Sequence, residues 1–154
     1  LRRLTALSGA TVGLDFSPEQ LDHAAAKAPD ARLLRGDMSR LPLDAEAIDA
    51  VLAFHSVIHV PADHHQTVID EFARVLRPGG RLLLSEGTGG GGGTNPDWLD
   101  AGSEMQWHIA GAETTRRQLD AAGFEIRSEY GTPNPQADDE DESWVFFEAT
   151  LSGE

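Results

Sequence analysis

The chain has 154 residues, enough for one domain with a buried core, and carries a formal net charge of −14 from 26 acidic against 12 basic side chains. Only one of the bases is a lysine, Lys27, so the surface repels phosphate backbones and anionic headgroups; this argues against nucleic acid or a membrane as partner and fits an acidic, halophilic shell. The absence of cysteine removes disulfides and thiolate metal sites and is compatible with the cytoplasm, and no apolar run reaches membrane-spanning length.

Leu1 to Leu7 places apolar residues at helical spacing and stops at Gly9, as the end of a helix does. Thr11 to Asp15 is a strand that ends in an acid. Ser17-Pro18 and Gln20 then form a capping-box arrangement, with Gln20 placed to reach back, and open a helix over 18–28 closed by Pro29. A short strand follows over Ala31–Leu34, then Gly36-Asp37-Met38. Ile48 to Phe54 is nearly continuous in apolar residues, as a parallel strand covered on both faces should be. Pro61 to Leu76 sets Val68, Phe72 and Val75 at helical spacing, and Arg77-Pro78-Gly79-Gly80 turns the chain into a strand over Arg81–Glu86. Gly87 to Gly93 is almost pure glycine and reads as a flexible loop, a lid or spacer rather than a phosphate cradle, because no helix follows it directly. A helix over 112–122, a strand over Phe124–Tyr130, an acidic turn at Gln136–Glu142 and a strand over Trp144–Leu151 complete the chain. Strands alternating with helices in this rhythm predict a single α/β domain over 1–154, doubly wound about a mostly parallel sheet.

Asp15 is the most informative residue. An acid at the tip of a strand in an open α/β sheet can accept from both hydroxyls of a ribose, which marks a nucleoside-binding edge. In such a fold the acid ends the second strand, and a glycine-rich turn after the first strand lies upstream. Here the chain is expected to begin after that turn, so the first strand and the cofactor loop are expected to be missing. The same acid serves nicotinamide enzymes, which is another reading; Gly36-Asp37-Met38 and the Leu76–Gly80 turn weigh against it.

Together, Gly13-Leu14-Asp15-Phe16-Ser17, Gly36-Asp37-Met38, Ile48-Asp49-Ala50-Val51-Leu52-Ala53-Phe54, Leu76-Arg77-Pro78-Gly79-Gly80 and Ala121-Ala122-Gly123-Phe124-Glu125 resemble the class I S-adenosylmethionine-dependent methyltransferases from end to end. The resemblance implies a Rossmann-like sheet with an antiparallel last strand, and S-adenosyl-L-methionine as cofactor. It also implies that Asp15 holds the ribose hydroxyls, Phe16 packs beside the adenine, Asp37 accepts from the adenine amino group and Met38 covers the ring. Phe54 and His55 would face the methionine portion. As implied by the family, a chain without the upstream loop should bind the cofactor poorly, and activity of the 154 residues alone is in question.

Methyl transfer from a sulfonium is an in-line displacement that asks for alignment, a dry pocket and, for a protonated acceptor, a base. The catalytic candidates are His55 at a strand tip and Glu104, Trp107 and His108 in the segment before the last helix. Trp98 and Trp107 are candidates for walling an acceptor pocket, or for anchoring a loop-rich region. His59 is expected to pack beneath the following helix and His64-His65 to face solvent. A zinc site from His55, His59 and one of these has no motif to fix it, so no metal is expected. The leading expectation is methyl transfer to a small-molecule acceptor; the alternative is a catalytically inactive methyltransferase-like binding module. A homo-oligomer is compatible with either.

Overall fold

The computed structural model describes residues 10–97, 102, 104–133 and 143–153. The expectations for Leu1–Leu7, Trp98 and Gln136–Glu142 lie outside the described residues. The chain divides into two compact units, Leu1–Leu43 and Asp44–Glu154.

In the first unit, strand β1 (Val12–Asp15), helix α1 (Pro18–Lys27) and strand β2 (Arg32–Arg35) form a parallel strand pair joined through a helix, with Asp15 opposite Arg35. The helix starts where the sequence predicts. Ser17 is extended, its Oγ accepts from the Gln20 N–H at 3.3 Å, and Pro18 takes the first helical position, where a missing N–H costs nothing. The return arm differs from the expected capping box: the Ser17 N–H, the donor assigned to Gln20, is taken by Asp15 Oδ1 at 2.9 Å, while the Ser17 hydroxyl donates to the Glu19 carboxylate at 2.8 Å.

The second unit holds β3 (Ile48–Ala53), two short 3-10 turns (Val57–His59 and Ala62–His64), α2 (His65–Val75), β4 (Leu76–Gly87), β5 (Gly91–Asn95), β6 (Met105–Ile109), α3 (Ala112–Ala121), β7 (Phe124–Pro133) and β8 (Ser143–Leu151). Its main sheet has the order β3-β4-β8-β7. β3 runs parallel to β4, and β8 lies between β4 and β7, antiparallel to both. That is the expected antiparallel last strand.

Alternation along β4 sends Leu82, Leu84 and Glu86 to one face, opposite Ala149, Phe147 and Val145 of β8, and all six are buried. Val68, Ile69, Phe72 and Val75 of α2 and Leu119 of α3 are buried with them in the core of this unit. Burying one such side chain contributes roughly 1.5–3 kcal/mol, so this face accounts for most of the unit's cohesion.

The Leu-Arg-Pro-Gly-Gly motif is a bulge at the start of β4. Ile48 pairs with Leu76 and Ala50 already with Arg81, so the residues between loop out of the ladder. Gly79 there has φ 76°, a left-handed conformation that favours glycine.

One expectation is corrected. The glycine run is not simply a loop: Gly91–Asn95 is strand β5, paired antiparallel with β6 in full register from Gly91–Ile109 to Asn95–Met105. Glycine is poor in strands for want of a side chain to pack, but here the missing side chain is what permits pairing. A Cβ on Gly93 would lie 2.4 Å from the Trp107 ring, and one on Gly92 2.6 Å from the Trp107 carbonyl oxygen.

Candidate functional site

In the first unit, Asp15 and the Gly36-Asp37-Met38 turn follow neighbouring parallel strands, and the Gly36 N–H donates to the Asp15 carbonyl at 3.0 Å. The sequence-predicted nucleoside residues are thus brought together at one end of this strand pair. Asp15 is half-buried, and its Oδ1 accepts from the Ser17 N–H at 2.9 Å, which fixes the carboxylate. Phe16 is 68 % exposed, an uncovered ring beside that acid. Asp37 Oδ1 accepts from both the N–H and the hydroxyl of Ser39, each at 2.8 Å. Those two bonds hold the Asp37 carboxyl below the usual carboxylate range, so it is an acceptor at any physiological pH. Met38 is half-buried, as a side chain that both fills and covers would be.

In the second unit, the chain leaves β3 through Phe54 and His55. Phe54 is 43 % exposed, and its ring meets Phe146 edge-on with centroids 5.6 Å apart. His55 has φ 51°, a strained conformation for a side chain with a Cβ, worth about 1–3 kcal/mol unless its surroundings hold it. They do. Its N–H donates to the buried Ser85 Oγ at 2.7 Å, and its ring stands edge-on to Trp144, centroids 4.4 Å apart, and to Phe146 at 5.8 Å. Burial pulls its pKa below the ordinary histidine value, so His55 presents a neutral imidazole, the form able to accept a proton.

The other catalytic candidates lie on or beside the β5–β6 hairpin. Glu104 is exposed and accepts from Gln106 at 2.8 Å; Trp107 lies over Gly93, and His108 stands opposite Gly92. His59 does not pack beneath the helix as expected. It is exposed, and its Nδ1 donates to the Gln106 carbonyl at 3.1 Å, tying the turn after β3 to β6. His64 is exposed, but His65 is fully buried, because it occupies the first turn of α2 on the side that faces the sheet. Among the described residues no three histidine or acidic side chains gather as a metal would require.

Residues not singled out in the sequence complete this picture, Ser85 and Glu86 with Trp144 and Phe146, together with His65, which was expected at the surface. Their signal was modest. Ser85-Glu86 is a polar pair at the tip of a strand that otherwise reads Leu-Leu-Leu, and a buried strand tip is where polar residues need a reason.

A family model described as a methyltransferase domain matches residues 1–84, more than half of the chain. The chain belongs to the methyltransferase-domain family. Over 125 residues it is 32 % identical to an arsenite methyltransferase of Halobacterium salinarum, covering 76 % of this chain and 31 % of that protein. It is 39 % identical over 79 residues to a ubiquinone/menaquinone biosynthesis C-methyltransferase of Syntrophotalea carbinolica, covering 49 % of this chain and 32 % of that one. The chain thus spans about a third of the length of these curated relatives. Among solved structures, an S-adenosylmethionine-dependent methyltransferase from Methanosarcina mazei superposes with a TM-score of 0.79 at 19 % identity, covering 98 % of this chain and 86 % of that one. A [4+2]-cyclase superposes with a TM-score of 0.73 at 20 % identity over 99 % of this chain and 70 % of that one. These likenesses show the fold, α/β and Rossmann-like; the reaction is a separate matter.

Proposed function

We propose that the protein transfers a methyl group from S-adenosyl-L-methionine to a small organic acceptor. The observation that carries this reading is the placement of Asp15, at the end of β1, and Asp37, two residues past the end of β2, at the same end of a parallel strand pair, within a chain of the methyltransferase-domain family. The residues present fit the cofactor's nucleoside: for a cis-diol a fixed carboxylate, whose second oxygen has no partner among the described residues, a second acceptor for an exocyclic amine, an exposed ring and a methionine for the base. When bound, the cofactor supplies an electrophilic methyl on a sulfonium. The protein's own part is to hold the nucleoside, exclude water and present the acceptor's nucleophilic atom in line.

For the acceptor, the second unit offers the aromatic group Phe54, Trp144 and Phe146 beside the neutral imidazole of His55. Such a surface suits a planar, largely apolar molecule with one ionisable hydroxyl or amine, whose proton His55 is placed to take. Arsenite, the substrate named for one relative, suits it less, since arsenic(III) favours thiolate sulfur and these 154 residues contain no cysteine. The net charge of −14 likewise disfavours a nucleic-acid substrate.

The test is transfer of tritium from methyl-labelled S-adenosylmethionine by the protein as its gene encodes it, offered a panel of quinols, phenols and arylamines. Label in an organic product supports the reading. Cofactor binding with no transfer to any of the panel, and none to arsenite, would favour the inactive binding module instead.

A further inference from the structure

Buried at the tip of β4, on the opposite face of the strand from Ser85, Glu86 is 2 % exposed and His65 beside it is fully buried. Three segments of the second unit meet at the Glu86 carboxyl. Its Oε1 accepts from the Gly87 N–H at 2.8 Å, where the chain enters the glycine run. The Ala110 N–H, just after β6, also lies close enough to the carboxyl to favour its charged form. Its Oε2 faces His65 Nδ1 at 3.7 Å, at the start of α2.

The imidazole's other nitrogen decides the proton count. Nε2 lies 2.8 Å from the Val60 carbonyl oxygen, which can only accept, so Nε2 carries a hydrogen. In neutral His65 that leaves Nδ1 as a lone pair, and Nδ1 is a fully buried polar atom with no partner in its present geometry. A lone pair facing a carboxylate out of reach of water is repulsive and leaves both acceptors unsatisfied. One proton between them removes the conflict. The charged groups near the pair are His108 on β6, whose own positive charge would oppose a second one on His65, and Asp63 in the turn before α2, which would favour it. The backbone N–H groups of Gly87 and Ala110 favour a charged Glu86, and the Val60 and Val57 carbonyls a charged His65, but desolvation is the largest influence on each group and favours the neutral arrangement, in which the acid keeps its proton and the imidazole stays uncharged.

We propose that Glu86 and His65 are a one-proton positioning pair, with Glu86 protonated and donating to Nδ1, that clamps the β4 tip to the base of the β5–β6 hairpin. The pair sets where the hairpin bearing Trp107 and His108 leaves the sheet, and it holds the strand tip from which Ser85 reaches His55 on the opposite face. The assignment does not depend on which reaction the protein performs.

The experiment is nuclear magnetic resonance on the unsubstituted protein at pH 6, with two variants. Carbon-13 detection of the Glu86 carboxyl should give a protonated shift, and long-range nitrogen-15 correlation should give His65 as the neutral Nε2–H tautomer. A carboxylate shift, or an imidazolium at His65, overturns the proposal. Glu86→Gln reproduces the protonated acid, its amide oxygen accepting from Gly87 and Ala110 and its NH₂ donating to Nδ1, so hydrogen exchange at Gly87 and Ala110 should change by less than about threefold. Glu86→Ala leaves buried donors without an acceptor and should speed their exchange by about tenfold or more. If Glu86→Gln loosens these amides as much as Glu86→Ala does, the pair needs a negative charge and the assignment is wrong.

Discussion

Gly79 and Gly80 sit side by side in the bulge that opens β4, yet the structure gives each a different reason to be glycine. Gly79 has φ 76°, and a Cβ there would meet nothing within 4 Å, so the obstacle to a side chain is purely conformational. Gly80 has room in its dihedrals, but a Cβ would lie 2.8 Å from the Arg77 carbonyl oxygen and 3.0 Å from Leu76 Cδ2, against the 3.4 Å or more of ordinary contact. Gly79→Ala should therefore cost about 1–2 kcal/mol, the usual penalty for alanine in the left-handed region. Gly80→Ala should cost about 1–3 kcal/mol, because the blocking atom is backbone inside a paired bulge and cannot swing aside. For a domain of this size each kcal/mol moves the melting temperature by roughly 2–4 °C. The two causes separate with asparagine, which tolerates the left-handed region better than alanine but is bulkier. Gly79→Asn should recover part of the loss seen in Gly79→Ala, whereas Gly80→Asn should be worse than Gly80→Ala. Urea titration followed by far-ultraviolet circular dichroism measures all four. Equal damage from asparagine and alanine at position 79, or a neutral Gly80→Ala, would refute the reasoning.

Three more outcomes follow. Glu86, raised from 4.5 to about 7 by burial, takes up a proton on folding, so its share of stability is present below about pH 4.5 and lost as pH rises to about 7. His65, lowered from 6.5, gives one up, so its share is present above pH 6.5 and lost as pH falls. The two oppose where their windows overlap: stability of the unsubstituted protein should fall less with rising pH there than that of His65→Gln, which should lose up to ~3 kcal/mol between about pH 4.5 and 7, as chemical denaturation at stepped pH will measure. Gly93→Val should displace Trp107 and open the β5–β6 ladder, seen as faster amide exchange across Gly91–Asn95; protection equal to that of the unsubstituted protein would mean the ring lies elsewhere. The melting temperature should rise between dilute buffer and molar potassium chloride, since a net charge of −14 with a single lysine has more repulsion to screen than ion pairs to lose; a flat or falling curve would remove the halophilic reading of the surface.

The elements that were legible in the sequence are those with periodic apolar faces. Val68, Phe72 and Val75 announced α2, Ser17-Pro18 marked the start of α1, and the antiparallel pairing of the last two strands followed from the family resemblance. The position of Asp15 at the end of β1 was legible because the apolar strand stops at it, and its carboxylate also caps the turn that follows by accepting from the Ser17 N–H. β5 was not legible, because a glycine strand has no side-chain pattern, and its cause is a tryptophan fourteen residues beyond Gly93. His65 was misread as a surface residue because His64-His65 looks polar, while the first turn of α2 faces the sheet. Glu86 escaped because its partners, Gly87, Ala110 and His65, are two backbone amides and an imidazole lone pair that no motif links.

The account stands most directly on Asp15. Calorimetric titration of S-adenosylmethionine into the protein as its gene encodes it, beside the Asp15→Ala variant with its fold checked by circular dichroism, asks whether that carboxylate holds the ribose. Loss of an acceptor for a buried diol is worth about 1–3 kcal/mol, so affinity should fall by roughly one to two orders of magnitude. Equal affinities in two folded proteins would place the nucleoside somewhere other than the end of β1 and contradict the central claim.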